Sequence, residues 1–468
     1  MAFINTRKAT GPGTIKNIQI FSNTEPNKSV YLTDLIIDSF KYYESLFQDV
    51  IHASVTYIDS GGTIEARGKK GLTTAVAGLP ITGSEKVNLL FQDTNEEEIE
   101  VTLYVNNVTE IIVDTTKSMV TLSMNSIELF NNDKIRLNTR EDGKISDHIE
   151  MILTEEEYLQ TEKEVDIEKT VGVYNKAFTN KKPFYMMNYL STRAVPEGGQ
   201  GNSAGFLLWE TSEGFHFKSV DKLFAQKEKR KILFNETPGN PPAPYDIKAL
   251  TFVKENRNDI KSKLEQGAYS TRLITFDPFT CNYSVTYPNA GNSINLDARP
   301  TGGGNENALN TGGEKLPQLC PDIKSAKGGQ NDFSRTTFQV LDTGSIPEGK
   351  TKSGVEQQAQ DRFGGNEQVE KKEDKNAKPG ETLNQAIQRL NQLNTMKISM
   401  TLPGDFTLHA GDAVTVDSIK LSVKKENARS KVDDQTGGLY IIRDLCHYMT
   451  KDVTYTKINV IRDSFGKK

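Results

Sequence analysis

Residues 205–223 read GFLLWETSEGFHFKSVDKL, and residues 397–416 read KISMTLPGDFTLHAGDAVTV. In the first stretch an apolar strand, Phe206 to Trp209, meets a tight turn at Thr211-Ser212-Glu213-Gly214. A second strand follows, in which Phe215 and Phe217 share one face because side chains alternate with a period of two. Ser219 then suits the N-cap of a short helix with Asp221 in its first turn, which brings Val220, Leu223 and Phe224 onto one side. In the second stretch Ile398, Met400 and Leu402 alternate with Lys397, Ser399 and Thr401. Gly404 and the turn Ala410-Gly411-Asp412 break the chain, and Val414 and Val416 resume the alternation. Together they describe β-barrel or β-sandwich strands joined to a small α/β unit.

Working outward, residues 1–30 are polar and read as an arm. From 30 to 140 the pattern is β. Ile51, Ala53, Val55 and Tyr57 alternate; Ile99, Val101, Leu103 and Val105 oppose Glu98, Glu100, Thr102 and Tyr104; Val120, Leu122 and Met124 repeat the rule. Short, regularly spaced strands with one apolar face predict an antiparallel barrel or sandwich. Between 142 and 234 the period changes. Ile145, Ile152, Tyr158 and Leu159 suggest short helices, and Pro183 suits the first turn of a helix that buries Phe184, Met187, Leu190 and Ala194. Residues 237–245 (TPGNPPAPY) read as a stiff connector. Residues 258–266 suggest a short helix stopped by Gly267, and 268–287 a hairpin turned at Asp277-Pro278-Phe279-Thr280. Residues 289–380 are rich in Gly, Asn and charge, with Thr301-Gly302-Gly303-Gly304 and Thr311-Gly312-Gly313 among them. Such a segment has too little apolar surface to offset its own ordering and must be ordered by neighbours. Leu383, Ala386, Ile387, Leu390 and Leu393 then mark an amphipathic helix over 381–394.

The chain has 468 residues, enough for two to four domains. Hydrophobic residues make up 35%, and 57 Lys and Arg against 62 Asp and Glu leave a net charge of −5, so no basic nucleic-acid footprint is expected. Mean hydropathy is −0.54, which suits thin β domains with much wetted surface. Three widely spaced cysteines point to synthesis in a reducing compartment such as a cytoplasm. The N-terminus has no apolar leader pattern and no run of about 18 apolar residues occurs, so neither secretion by an own signal nor membrane insertion is expected.

No chemistry is concentrated. The histidines His52, His148, His216, His409 and His447 have no second ligand at metal spacing. His216 and His447 fall in strand patterns and read as half-exposed structural residues. The acidic runs 96–98 and 155–157 can be imagined as a glycosidase pair, but a solvated turn and helix face explain them better. The Gly-rich loops lack the Lys-Ser/Thr of a phosphate cradle, no GxSxG elbow is present, and no cysteine has a flanking His that would make it a nucleophile candidate. Met186-Met187 and Phe215/Phe217 read as core or subunit contacts. No catalytic, cofactor-binding or metal-ligating residue is expected, and no cofactor; the chain reads as an assembly protein rather than an enzyme.

The two quoted stretches, with 43–60 (YESLFQDVIHASVTYIDS), 79–91 (LPITGSEKVNLLF) and 438–463 (GLYIIRDLCHYMTKDVTYTKINVIRD), resemble in order and wording the central baseplate hub proteins of contractile-tailed, T4-like bacteriophages. The resemblance implies an α+β, mainly β chain with two tail-tube-like antiparallel β-barrel domains, an α/β domain between them and a long insertion in the second. Residues 1–140 would be the N-terminal arm and first barrel, 141–245 a peripheral α/β domain, and 246–288 with 397–468 the second barrel. Residues 289–396 would be the Gly/Asn-rich insertion ending in its amphipathic helix. It further implies a homotrimeric, pseudo-sixfold ring in the virion baseplate, joining tail tube or tube initiator to central spike and touching other baseplate subunits. DNA would pass through the lumen without specific binding. Two other readings remain: a tail-associated peptidoglycan hydrolase, which needs converging carboxylates or a metal, and a glycan-binding adhesin, which needs exposed aromatics although Trp209 reads as buried.

Overall fold

The computed structural model describes residues 11–25, 28–60, 62, 64–65, 72–79, 81–113, 117–197, 204–235, 239–256, 259–267, 271–278, 281–286, 320, 322, 333–341, 376, 383, 386–387, 389–391, 393–419, 432–433 and 436–463. The chain is mainly β, and among the described residues fourteen strands belong to one hydrogen-bonded network. In the first β unit the antiparallel order is Ser29–Tyr31, Thr14–Phe21, Lys86–Gln92, Glu98–Ile112, Ser118–Asn125, His52–Asp59, Ile36–Ser45. The first and last of these are one stretch of chain, interrupted by the single 3-10 turn Leu32–Asp34. Residues 29–45 therefore supply both ends of the ladder. The sheet curls strongly enough that Phe40 packs edge-on against Phe91 at 4.7 Å, although their strands are not ladder neighbours. The alternating Ile, Val and Leu positions fill the concave side, with Val55, Tyr57, Leu103, Val120, Leu122 and Met124 completely buried.

The second β unit repeats the device. Its order is Ile247–Lys248, Arg230–Phe234, Ala413–Ser418, Gly438–Met449, Thr454–Arg462, Met396–Pro403, Thr251–Asn256. Again the two terminal strands are continuous in sequence. Between them the Ala249 N–H donates to the Leu233 carbonyl (2.9 Å) and the Leu250 N–H to the Thr401 carbonyl (2.8 Å), one toward each end of the ladder. Gly438–Met449 joins the units. Its first part pairs with Ala413–Ser418, its register slips between Ile442 and Asp444, and residues 444–449 then pair antiparallel with residues 40–45 of the first unit.

Between the two units lies a mixed region built on the sheet Val165–Ile167, Gly214–Ser219, Phe206–Thr211. Helices Ile145–Thr154 and Pro183–Ser191 cover it, enclosing Ile149, Ile152, Phe184, Met187, Leu190, Phe215 and Phe217. Ser219 caps helix Val220–Ala225 by accepting from the Lys222 N–H at 3.1 Å. Helix Ile260–Gln266 is capped by Asp259 and ends at Gly267 in the left-handed region (φ 80°).

Several expectations need correction. Thr14–Phe21, expected in a polar arm, is a core strand with Ile18 and Ile20 buried; the register shift between Ile15 and Asn17 breaks the period of two that would have revealed it. Tyr158 and Leu159 are buried, but beyond the end of helix Ile145–Thr154. Arg230–Phe234, placed with residues 141–245, runs parallel to Ala413–Ser418, so the second unit is mixed rather than purely antiparallel; the chain re-enters it by a crossover from the α/β region. The hairpin Thr271–Asp277 and Asn282–Thr286, placed in the second barrel, forms a separate three-stranded sheet with Arg335–Val340 from the insertion. That strand's partner edge lies far away in sequence, and its short polar run carries no local signal. The helix expected over 381–394 is described at Leu383, Ala386, Ile387 and 389–391, with Leu383, Ala386 and Leu393 buried and 393–394 already in a turn; residues 381–382, 384–385, 388 and 392, and most of 289–380, lie outside the described residues.

Candidate functional site

The loop at residues 404–412, inside the second quoted stretch, touches both β units and the α/β region. The Asp405 carboxylate accepts from Arg230 Nε at 2.9 Å. Phe406 leaves its own unit and enters the first unit's core, edge-on to Phe91 at 5.2 Å, while Leu408 fills the second unit's core. The Phe406 N–H donates to Asp93 Oδ2 (3.2 Å), a carboxylate of the first unit's 93–97 turn. The Ala410 carbonyl accepts from Trp209 Nε1 at 2.9 Å. A Cβ on Gly411, where φ is +94°, would lie 2.7 Å from the indole ring. Only glycine allows that approach. The two quoted stretches thus meet, with Trp209 only 2% exposed between them.

Glu44, on strand Ile36–Ser45, is the polar centre of this junction and is wholly enclosed (side chain 0% exposed). Its carboxylate accepts from the Tyr42 hydroxyl (2.8 Å), the Ser212 N–H (3.0 Å) and the Ala410 N–H (2.9 Å), and lies 3.2 Å from His409 Nδ1. One side chain of the first unit therefore binds backbone of both other regions. Burial opposes ionisation of Glu44, but the His409 charge and the backbone donors outweigh it and bring the carboxyl down to about 2. Burial likewise opposes a charge on His409, and Glu44 reverses this, holding the imidazole above its ordinary value.

A second buried carboxylate, Glu210 beside Trp209, accepts from the Ile51 N–H (3.0 Å) and the Ser126 hydroxyl (2.9 Å) of the first unit. Lys163 bridges it to Glu128, with Nζ at 2.6 Å and 2.8 Å. Burial works against that ammonium, and the two carboxylates hold it above its usual range. Both carboxylates have their lone pairs taken by donors of neighbouring elements, which suits a fastening better than proton transfer.

The other residues singled out in the sequence do not converge. His52 contacts Asn125 (2.9 Å), and His148 Nε2 contacts the Tyr174 carbonyl (2.9 Å). His216 contacts Thr211 Oγ1 (2.9 Å) and stacks on Trp209. His447 was expected half-exposed; it is entirely buried between Tyr42 and Phe406, with Nδ1 3.1 Å from Thr456 Oγ1. It lies on the covered face of the strand that joins the units, with Leu445 and Met449, while Cys446 and Tyr448 on the opposite face are half-buried. Glu96–Glu98 are exposed at a turn and Glu155–Glu157 beyond a helix end, in different units. Met186 and Met187 are core residues, as are Phe215 and Phe217. Among the described residues no group of three or more His, Cys, Asp or Glu side chains is placed to hold a metal ion. No helix among them is long and apolar enough to cross a membrane. Glu44 and Glu210 carried no sequence signal: each is a lone acid in a strand, recognisable only once its donors from other units are in place.

No protein-family model and no curated protein sequence matches this chain. Solved structures do. The 43 kDa tail protein of prophage MuSo2 from Shewanella oneidensis is 9% identical, with 96% of this chain and 98% of that one aligned at a TM-score of 0.47. The prophage tail protein gp18 from Listeria monocytogenes is 10% identical, with 95% and 94% covered and a TM-score of 0.43. The E. coli c3393 protein, a type VI secretion component described as similar to the T4 tail proteins gp27 and gp5, is 8% identical, with 93% and 76% covered and a TM-score of 0.39. The structural neighbours of this chain are phage tail and baseplate proteins and their secretion-system counterparts.

Proposed function

We propose that this chain is a baseplate hub subunit, three copies of which form a pseudo-sixfold ring between a tail tube and a central spike. One observation carries the reading: the same construction occurs twice, a curled ladder of six positions whose ends are supplied by one stretch of chain (29–45 in one unit, 247–256 in the other). On this reading each unit is a tube-like barrel. Three copies of two similar barrels present six near-equivalent edges, the geometry needed to pass from sixfold to threefold symmetry. The α/β region lies at the periphery, and the interlocked junction supports a permanent structural part rather than an enzyme. DNA would pass through the ring, so an inner wall with few Lys and Arg to grip phosphate is expected. Light scattering and electron microscopy of the full chain, alone and co-expressed with spike and tube proteins, test this. Annular threefold particles with six similar lobes are expected. A chain that stays single in both settings, or that clears bacterial cell walls in zymography or binds glycans on an array, overturns it.

A further inference from the structure

The joint between the two units shows how these modules meet: residues 40–45 pair edge to edge with 444–449, six pairs in register. Around the first unit's ladder the strand three steps from this joint in either direction is Glu98–Ile112; around the second unit's it is the 247–256 segment. Among the described residues both opposite strands have an open side. Glu98–Ile112 pairs on one side with Lys86–Gln92 only as far as Tyr104, extended by hydrogen bonds at Val105; among the described residues 106–112 have a ladder partner only in Ser118–Asn125. Among the described residues Thr251–Asn256 likewise has a ladder partner only in Met396–Pro403. Apolar side chains are exposed at both places: Ile111 (58%), Ile112 (77%) and Val113 (62%) on one, Leu250 (46%) and Val253 (56%) on the other. The buried/exposed alternation of Glu98–Ile112 stops at Val105, where the open stretch begins. An open strand edge that also exposes aliphatic side chains is a surface that needs a partner.

We propose that a second copy of this chain docks its Thr251–Asn256 edge onto residues 106–112 of the first, making between chains the joint that 40–45 and 444–449 make within one. The occupant is another copy because the two unlike surfaces occur on the same chain, at matching positions on its two modules. Unlike patches that cover each other head to tail generate a ring when the rotation closes. The proposal rests on the ring reading above and assigns its subunit interface.

Light scattering on the full-length chain tests it. Ile111→Lys and Val253→Lys are each expected to reduce the oligomer to a single chain while leaving the circular dichroism spectrum and melting temperature unchanged, since both side chains are more than half exposed. In a Cys281→Ser, Cys320→Ser background, copies carrying Ile111→Cys mixed with copies carrying Val253→Cys should be joined by a bismaleimide into a band that neither variant forms alone. A wild-type oligomer whose mass survives both lysine substitutions, with no mixed cross-link, overturns the interface and leaves the hub reading standing. A wild-type chain that stays single with and without tail components overturns both.

Discussion

Glu44 is a single acid on which three parts of the molecule depend, and its partners set a pH window. His409 has a folded value above the ordinary 6.5, so its contribution is complete below 6.5 and is lost as pH rises through the folded value. His447 behaves oppositely: burial brings it down to about 3, so its contribution is present above 6.5 and declines as pH falls from 6.5 toward 3. Glu44, at about 2 against an ordinary 4.5, adds a further loss on acidification below 4.5. Stability should therefore peak near the ordinary histidine value and decline on both sides, as melting temperatures across pH will show. In Glu44→Gln the decline on the alkaline side should shrink, because the main group holding His409 above its usual range is gone and only the weaker pull of Asp412 remains. That variant should also lose about 3–5 kcal/mol in urea titration at the optimum, the cost of breaking a buried pair by removing one partner. None of this was legible in the chain. The sequence shows His409 as an isolated histidine after a glycine break, and Glu44 as one acid in an ordinary strand.

At the scale of elements, the hairpin Phe206–Thr211 and Gly214–Ser219 has one position with no tolerance. Gly214 has φ +134°, and a Cβ there would lie 2.1 Å from the Glu164 carbonyl oxygen, which accepts from the Phe215 N–H beside it. Gly214→Ala should cost at least about 3 kcal/mol from backbone strain and overpacking together, measured by chemical denaturation. An unchanged midpoint would mean that Glu164, just before strand Val165–Ile167, does not pack against Gly214. Elements like this were readable beforehand. The alternation of Phe215 and Phe217, the Ser219 cap and the Pro183 helix start all follow from local rules, as do Val120, Leu122 and Met124. What could not be read depends on a distant partner. Arg335–Val340 is a strand because Thr271–Asp277 offers it an edge. Thr14–Phe21 escaped notice because a bulge shifts its period, and the parallel course of Arg230–Phe234 follows from where the α/β region returns the chain.

At the scale of the whole molecule, the two β units and the α/β region are fastened by one loop, two buried carboxylates and a shared strand, so they should unfold as one. Trp209, the only tryptophan, sits at the junction and reports on it directly. Its fluorescence and the far-UV signal should follow one coincident transition in urea. An earlier shift in the tryptophan signal would mean that the regions part before they melt.

The shared strand also dictates when the molecule can be finished. Ser45 and Asp444 pair across a separation of 399 residues. While a ribosome is still making the later half, the flank of Ile36–Ser45 that will receive residues 444–449 has no neighbour and stands as a bare template for any extended peptide nearby. Slow closure of such distant contacts leaves that edge exposed for longer, so the nascent chain should be more prone to aggregate than the finished one.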